Sequence, residues 1–130
     1  MASNKLNSLF LISLLLIYLH GFEEIIGGFP SSDSFIIYGG RYFGTTPENF
    51  YWIFHTIYWL LLPILFILFH IKRIGLFLMT LFSFVFIFES HHILKAIIIN
   101  DYYPGVITAI FYPIIGFFFL RQLIKDWKNK

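Results

Sequence analysis

Apolar residues along this chain gather into four long stretches, and polar residues break them at only a few points. The stretches cover about residues 6 to 27, 50 to 70, 74 to 100 and 103 to 123, each able to cross ~30 Å of hydrocarbon as a helix. Strands of alternating polarity are absent, and an open sheet would leave backbone groups unpaired in lipid. The pattern predicts an all-α integral membrane four-helix bundle, a single transmembrane domain over residues 1–130. Asn49 and Pro104 are expected to start the second and fourth spans, and "HIKRIG" to form a tight turn between the second and third. The segment from Gly28 to Asn49 reads as a longer loop, "NDYYPG" as a short link. The first stretch runs past the length of a secretory h-region without a small-x-small site, so it is expected to stay as a span. Pro63 and Pro113 should bend their spans, each freeing a carbonyl one turn earlier.

Basic residues set the orientation. Lys5, Lys72, Arg73, Arg121, Lys125, Lys128 and Lys130 fall on one face of a four-span bundle, which the positive-inside rule makes cytoplasmic, with both termini. Composition agrees with a multi-pass protein of the cell membrane: 58% of residues are hydrophobic, 22% aromatic and 12% charged. Four spans are expected to leave no length for a separate soluble domain. The absence of cysteine excludes disulfides, thiolate metal sites and thiol nucleophiles. A net charge of +2, carried at segment ends, is no footprint for nucleic acid. Heavy use of Phe, Ile, Asn and Lys points to an AT-rich bacterial genome.

The exceptions to the apolar pattern carry the chemistry. "LIYLHGFEEIIGG" places His20, Glu23 and Glu24 in the outer part of the first span, at spacings i, i+3 and i+4 that share one helix side. His55 enters the second span at a similar depth, and Glu89 and His92 share a face of the third. A carboxylate near the bilayer centre disfavours insertion by roughly 2.5–3.5 kcal/mol, and less toward the interface. Several at one level imply pairing or a ligand. Glu-x-x-His projecting from helices is the arrangement of di-iron carboxylate bundles, and imidazole with carboxylate suits zinc, iron or manganese. The simplest alternatives are glutamates that snorkel to water and a Glu/His pair that only joins helices. His91 points elsewhere, and His70 reads as a headgroup contact beside Lys72 and Arg73.

"HGFEE" followed by "GFP", then "HILKAI" and "YYPGVITA", resembles the HXXEE family of small integral membrane proteins over most of the chain. The resemblance implies a multi-span protein whose His and Glu residues are suspected of chemistry, with no settled substrate. It carries over His20, Glu23, Glu24 and His92, with Tyr102, Pro104, Gly105 and Thr108 as a last-span signature. His55 and Glu89 rest on depth and face alone.

The expected function is a metal-dependent membrane enzyme, a hydrolase or lipid-modifying activity, holding a divalent zinc or iron ion through His20, Glu24, His55, Glu89 and His92. Glu23 is expected to act as general base. The partners expected are membrane lipids and a lipidic or apolar small molecule. A metal-free acid/base enzyme would use the same residues. In the third reading, a small accessory, transport or immunity protein, the cluster is structural or a proton site.

Overall fold

The computed structural model describes residues 2–71 and 74–129; the basic turn expected at Lys72 and Arg73, and Lys130, lie outside the described residues. Among the described residues all regular structure is helical, and four helices are long and apolar enough to cross a membrane: Asn4–Gly27, Pro47–Phe69, Gly75–Ile99 and Val106–Lys128.

The first span, α1 (Asn4–Gly27), opens where the Ser3 side chain accepts from the Leu6 amide. It closes at Gly28, left-handed with φ 77°, whose N–H bonds back to Glu24 and Ile25. The chain up to the next span is not simply a loop: it holds α2 (Phe29–Ser32) and α3 (Ser34–Tyr42). Asp33 caps α3, its Oδ1 accepting from Phe35 N at 2.8 Å and Ile36 N at 3.1 Å. Ile36, Gly39 and Gly40 give α3 a buried face at helical spacing, a signal that its glycines and serines mask. The second span, α4 (Pro47–Phe69), begins a little before Asn49, because Thr46 caps the Asn49 amide and Pro47 occupies the first turn.

The third span is built from α5 (Gly75–Phe82), α6 (Val85–Glu89) and α7 (His91–Ile99). Its interruptions fall at Ser83 and Ser90, whose hydroxyls donate to the carbonyls of Thr80 and Phe86, both at 2.6 Å. The fourth comprises α8 (Val106–Ala109) and α9 (Phe111–Lys128). It starts after Pro104 and Gly105, and its break at Ile110 lies where Pro113 has no N–H for the Ala109 carbonyl. Pro63 likewise deprives the Trp59 carbonyl of its helical donor, and the Tyr18 hydroxyl of the first span donates to it instead, at 2.9 Å.

The first span packs on the fourth and touches the second. Toward the termini the core is aromatic: the Phe10 ring meets Phe69 at 4.2 Å and Phe82 at 4.8 Å, edge to face. Gly116 admits Phe86, because a Cβ there would stand 2.8 Å from Phe86 Cβ. The two chain ends meet, with Ser3 N donating to Asp126 Oδ2 at 2.7 Å and Gln122 Nε2 to Asp126 Oδ1 at 2.8 Å. Lys5, Arg121, Lys125 and Lys128 gather at this end, and the His/Glu residues lie toward the other. The outer surface is studded with exposed Leu, Ile and Phe, as lipid contact requires.

Candidate metal centre

His20 and Glu24 stand one turn apart on α1, both 3% exposed. Glu89 closes α6, and His92, fully buried, follows in the first turn of α7. Their ligand atoms form a ring of alternating nitrogen and oxygen. His20 Nε2 lies 3.1 Å from Glu89 Oε2 and 3.7 Å from Glu24 Oε1. His92 Nε2 lies 3.1 Å from Glu24 Oε1 and 3.6 Å from Glu89 Oε2. His55, from the second span, approaches from outside the ring, with Nε2 3.2 Å from the other Glu24 oxygen. The Tyr51 hydroxyl donates to that oxygen at 2.7 Å.

The imidazole tautomers follow from their other nitrogens. His92 Nδ1 lies 2.6 Å from the Pro104 carbonyl, which can only accept, so Nδ1 carries the proton. His20 Nδ1 lies 2.7 Å from Thr108 Oγ1. The threonine proton goes to Glu23 Oε2, at 2.5 Å, or to the Gly105 carbonyl, at 3.2 Å, so His20 Nδ1 must again be the donor. With Nδ1 protonated, a neutral ring at either position turns its Nε2 lone pair inward, and both Nε2 atoms are buried without a hydrogen-bond partner. Unpartnered lone pairs facing carboxylate oxygens repel unless a cation lies between them.

The spacing suits such an ion. Ligands ~2.1 Å from one centre stand about 3.0 Å apart at octahedral and about 3.4 Å at tetrahedral angles, and ~4.2 Å apart in trans positions. Two ring edges, at 3.1 Å, match the octahedral value, the other two, at 3.6 and 3.7 Å, are slightly wider than the tetrahedral one, and the four ligand atoms all lie within 4.8 Å of one another. Two carboxylates and two neutral imidazoles also balance a divalent charge, which matters in a low dielectric. The group can hold a metal ion. Its identity is open between zinc, iron and manganese on donor type.

Glu23 is not brought into this ring. Its Oε1 accepts from Ile107 N at 2.9 Å and from the Tyr102 hydroxyl at 3.3 Å, while Oε2 accepts from Thr108 N at 2.8 Å and from the Thr108 hydroxyl. A carboxylate on the first span thus caps the start of the fourth, where the helix dipole favours negative charge. The expected general-base role does not fit, because both oxygens are committed to the start of the fourth span and Glu23 is not in the metal-ligating group. Among the other polar residues, His91 donates from Nδ1 to the Phe88 carbonyl, and His70 lies at the far end.

The family described as "Protein of unknown function with HXXEE motif" matches residues 11–119. The chain belongs to the HXXEE family. No curated protein and no solved structure matches it.

The HXXEE motif divides its labour between two neighbours. His20 and Glu24 enter the ring, whereas Glu23 holds the fourth span and, through Thr108, the ring of His20. The last-span signature acquires the same logic. Pro104 supplies the carbonyl for His92. Gly105 has φ 90°, and a Cβ there would fall 2.7 Å from His92 Nδ1 and 2.8 Å from His20 Cε1. The Tyr103 hydroxyl donates to Asp33 Oδ2 at 2.7 Å, and Phe29 lies 5.0 Å from the His92 ring, so the segment after the first span roofs the centre. Tyr51, Asp33 and Phe29 were not foreseen from sequence. Tyr51 was within reach, since it precedes His55 by one turn on the same face.

Proposed function

We propose that the protein is a divalent-metal enzyme of a bacterial cell membrane, with both termini cytoplasmic, acting on a lipidic or apolar substrate. The observation that carries this reading is the inward aim of two imidazole lone pairs, each fixed by an acceptor at Nδ1, beside two carboxylates. His20, Glu24, Glu89 and His92 are the ligands. The metal supplies Lewis acidity: with zinc, hydrolysis is favoured, and with iron, oxidation or desaturation.

His55 takes the proton-handling role that Glu23 cannot. Its Nδ1 lies 3.2 Å from the Tyr51 carbonyl, leaving Nε2 to exchange a proton beside Glu24. The side chains of His55 and Glu89 are 14% and 23% exposed, so a molecule from the bilayer approaches on their side of the ring. Glu23 and Thr108 act as positioning residues for His20.

A second reading draws on the same distances. Contacts of 3.1–3.2 Å also suit an imidazolium between carboxylates, which makes the cluster a proton site or a structural hub. Elemental analysis after native extraction separates the two. The metal reading expects close to one zinc, iron or manganese ion per chain, and rebinding after chelator stripping. A protein that carries no stoichiometric ion, and takes up none when stripped protein is titrated with zinc or ferrous iron, overturns it in favour of the proton site.

A further inference from the structure

The opposite end of the bundle holds a pocket whose chemistry is independent of the metal centre. A cavity of about 150 Å³ is lined by Lys5 from the first span and Phe118, Arg121, Gln122 and Lys125 from the fourth. That is many times the ~10–15 Å³ needed by a single water on the same kind of measure. Arg121 and Lys125 are one turn apart on α9 and share a face, and Lys5 reaches the same space from the first turn of α1.

Three cations converge there. Among the described residues, none of them is ion-paired to a carboxylate. Asp126, adjacent to Lys125, is buried and already committed: Oδ2 accepts from Ser3 N and Oδ1 from Gln122 Nε2. Mutual repulsion of three cations that share a small concavity, with no ion-pair partner among the described residues, is relieved by an anion. The fork of Arg121 suits phosphate oxygens, with lysines adding point charge.

We propose that this pocket binds the phosphate of an anionic phospholipid in the leaflet at the terminal end of the bundle. A free phosphate would satisfy the cations alone. The wall of the pocket favours the lipid: Phe118 is 48% exposed, and Phe117 and Ile114 continue the apolar surface along α9 into the bilayer, where acyl chains lie. The lipid joins α1 to α9 through its headgroup, beside the contact made by Asp126.

The test uses the full chain in neutral detergent, stripped of lipid, with adducts counted by native mass spectrometry and affinity read by titration. The probes are phosphatidylglycerol, phosphatidylcholine and inorganic phosphate. Phosphatidylglycerol is expected to be retained well above phosphatidylcholine. Lys5→Gln should weaken it roughly five-fold and Arg121→Gln with Lys125→Gln roughly 25-fold, about five-fold per cation. Lys5→Gln, on the other helix, serves alone should the double variant fail to fold. Equal retention of both lipids, or phosphatidylglycerol affinity within two-fold of wild type in a folded variant, overturns the site. Displacement of phosphatidylglycerol by an equal concentration of inorganic phosphate overturns the lipid assignment and leaves a soluble-anion site.

Discussion

The two ends of the bundle are built from the same four spans and held together by different physics. At the terminal end, Phe10, Phe69, Phe82 and Phe119 fill the interior with edge-on and tilted rings at 4.2–6.2 Å, and polar ties such as Asp126 to Ser3 and Trp127 Nε1 to Thr80 Oγ1 lie at its margin. At the other end the interior holds His20, Glu24 and His92, all buried, with spans broken at Ser90 and Ile110 to present them. Lipid tails solvate phenylalanine about as well as another helix does, so the aromatic end is chosen by shape and dispersion. Lipid offers nothing to a carboxylate or an imidazole. The polar end is therefore specified group by group, and an error there leaves a charge or a lone pair unanswered.

The sharpest way to expose this asymmetry is to remove one of the proposed ligands. Glu24→Gln keeps the shape but withdraws one negative charge from the ring and weakens the anchor for His55 and Tyr51. Zinc affinity, measured by competition with a chromophoric chelator, should fall by more than ~100-fold, beyond the range for changes outside the ligand set. Metal should also protect the wild type: at about 100 times the dissociation constant it adds ~2.7 kcal/mol of stability, and in Glu24→Gln this protection should vanish. A variant that binds zinc as tightly as wild type would show that the ring is only a proton site.

A subtler probe is Thr108→Val, which keeps volume and loses the hydroxyl that links Glu23 to His20. The His20 Nδ1–H then lacks its acceptor and the ring is free to rotate. Affinity should drop about 10–100-fold, and Thr108→Ser should restore most of it. Unchanged affinity in the valine variant would mean that packing against Tyr112, at 5.2 Å, orients His20 by itself.

The sequence disclosed the two ends unequally. Four spans, the shared depth of His20, Glu24, His55, Glu89 and His92, and the gathering of Lys5 with the last helix's cations were all legible, since they need only hydropathy and the pitch of a helix. The division between Glu23 and Glu24 was not. Neighbours on a helix differ by 100° in direction, and only the position of the fourth span decides which of them meets Thr108 and which meets His92. The roof was hidden for another reason: α3 has glycines on its buried face, Gly39 against Phe50 and Gly40 against Pro47, and composition reads these as loop.

The aromatic end gives the control. Phe119→Ala empties a fully buried position beside Phe82 and Phe86. The cavity should lower the melting temperature in detergent, toward the smaller side of the ~3–5 kcal/mol known for such truncations, since lipid or detergent can partly fill the gap. Zinc affinity should remain within about two-fold of wild type, because no metal-centre residue touches this ring. Loss of metal binding in this variant would mean that the two ends are coupled and the comparison fails.

The smallest effect concerns the roof. Burial, and then the hydrogen bond to the Asp33 carboxylate, push the Tyr103 hydroxyl well above the usual tyrosine range. Tyr103→Phe leaves Asp33 Oδ2 without its donor and should cost about 1–3 kcal/mol at neutral pH. A group that holds its proton more tightly when folded contributes stability in full below its unfolded value of 10.0, and loses it as pH rises through the folded one. The stability gap between wild type and Tyr103→Phe should therefore be constant from pH 7 to 9 and shrink above about pH 10, where the unfolded chain gives up the tyrosine proton and the folded protein still holds it. Thermal melts of the two proteins across that range check it. A gap that stays level to pH 11 would show that the Asp33 contact is not what holds the roof over the polar end.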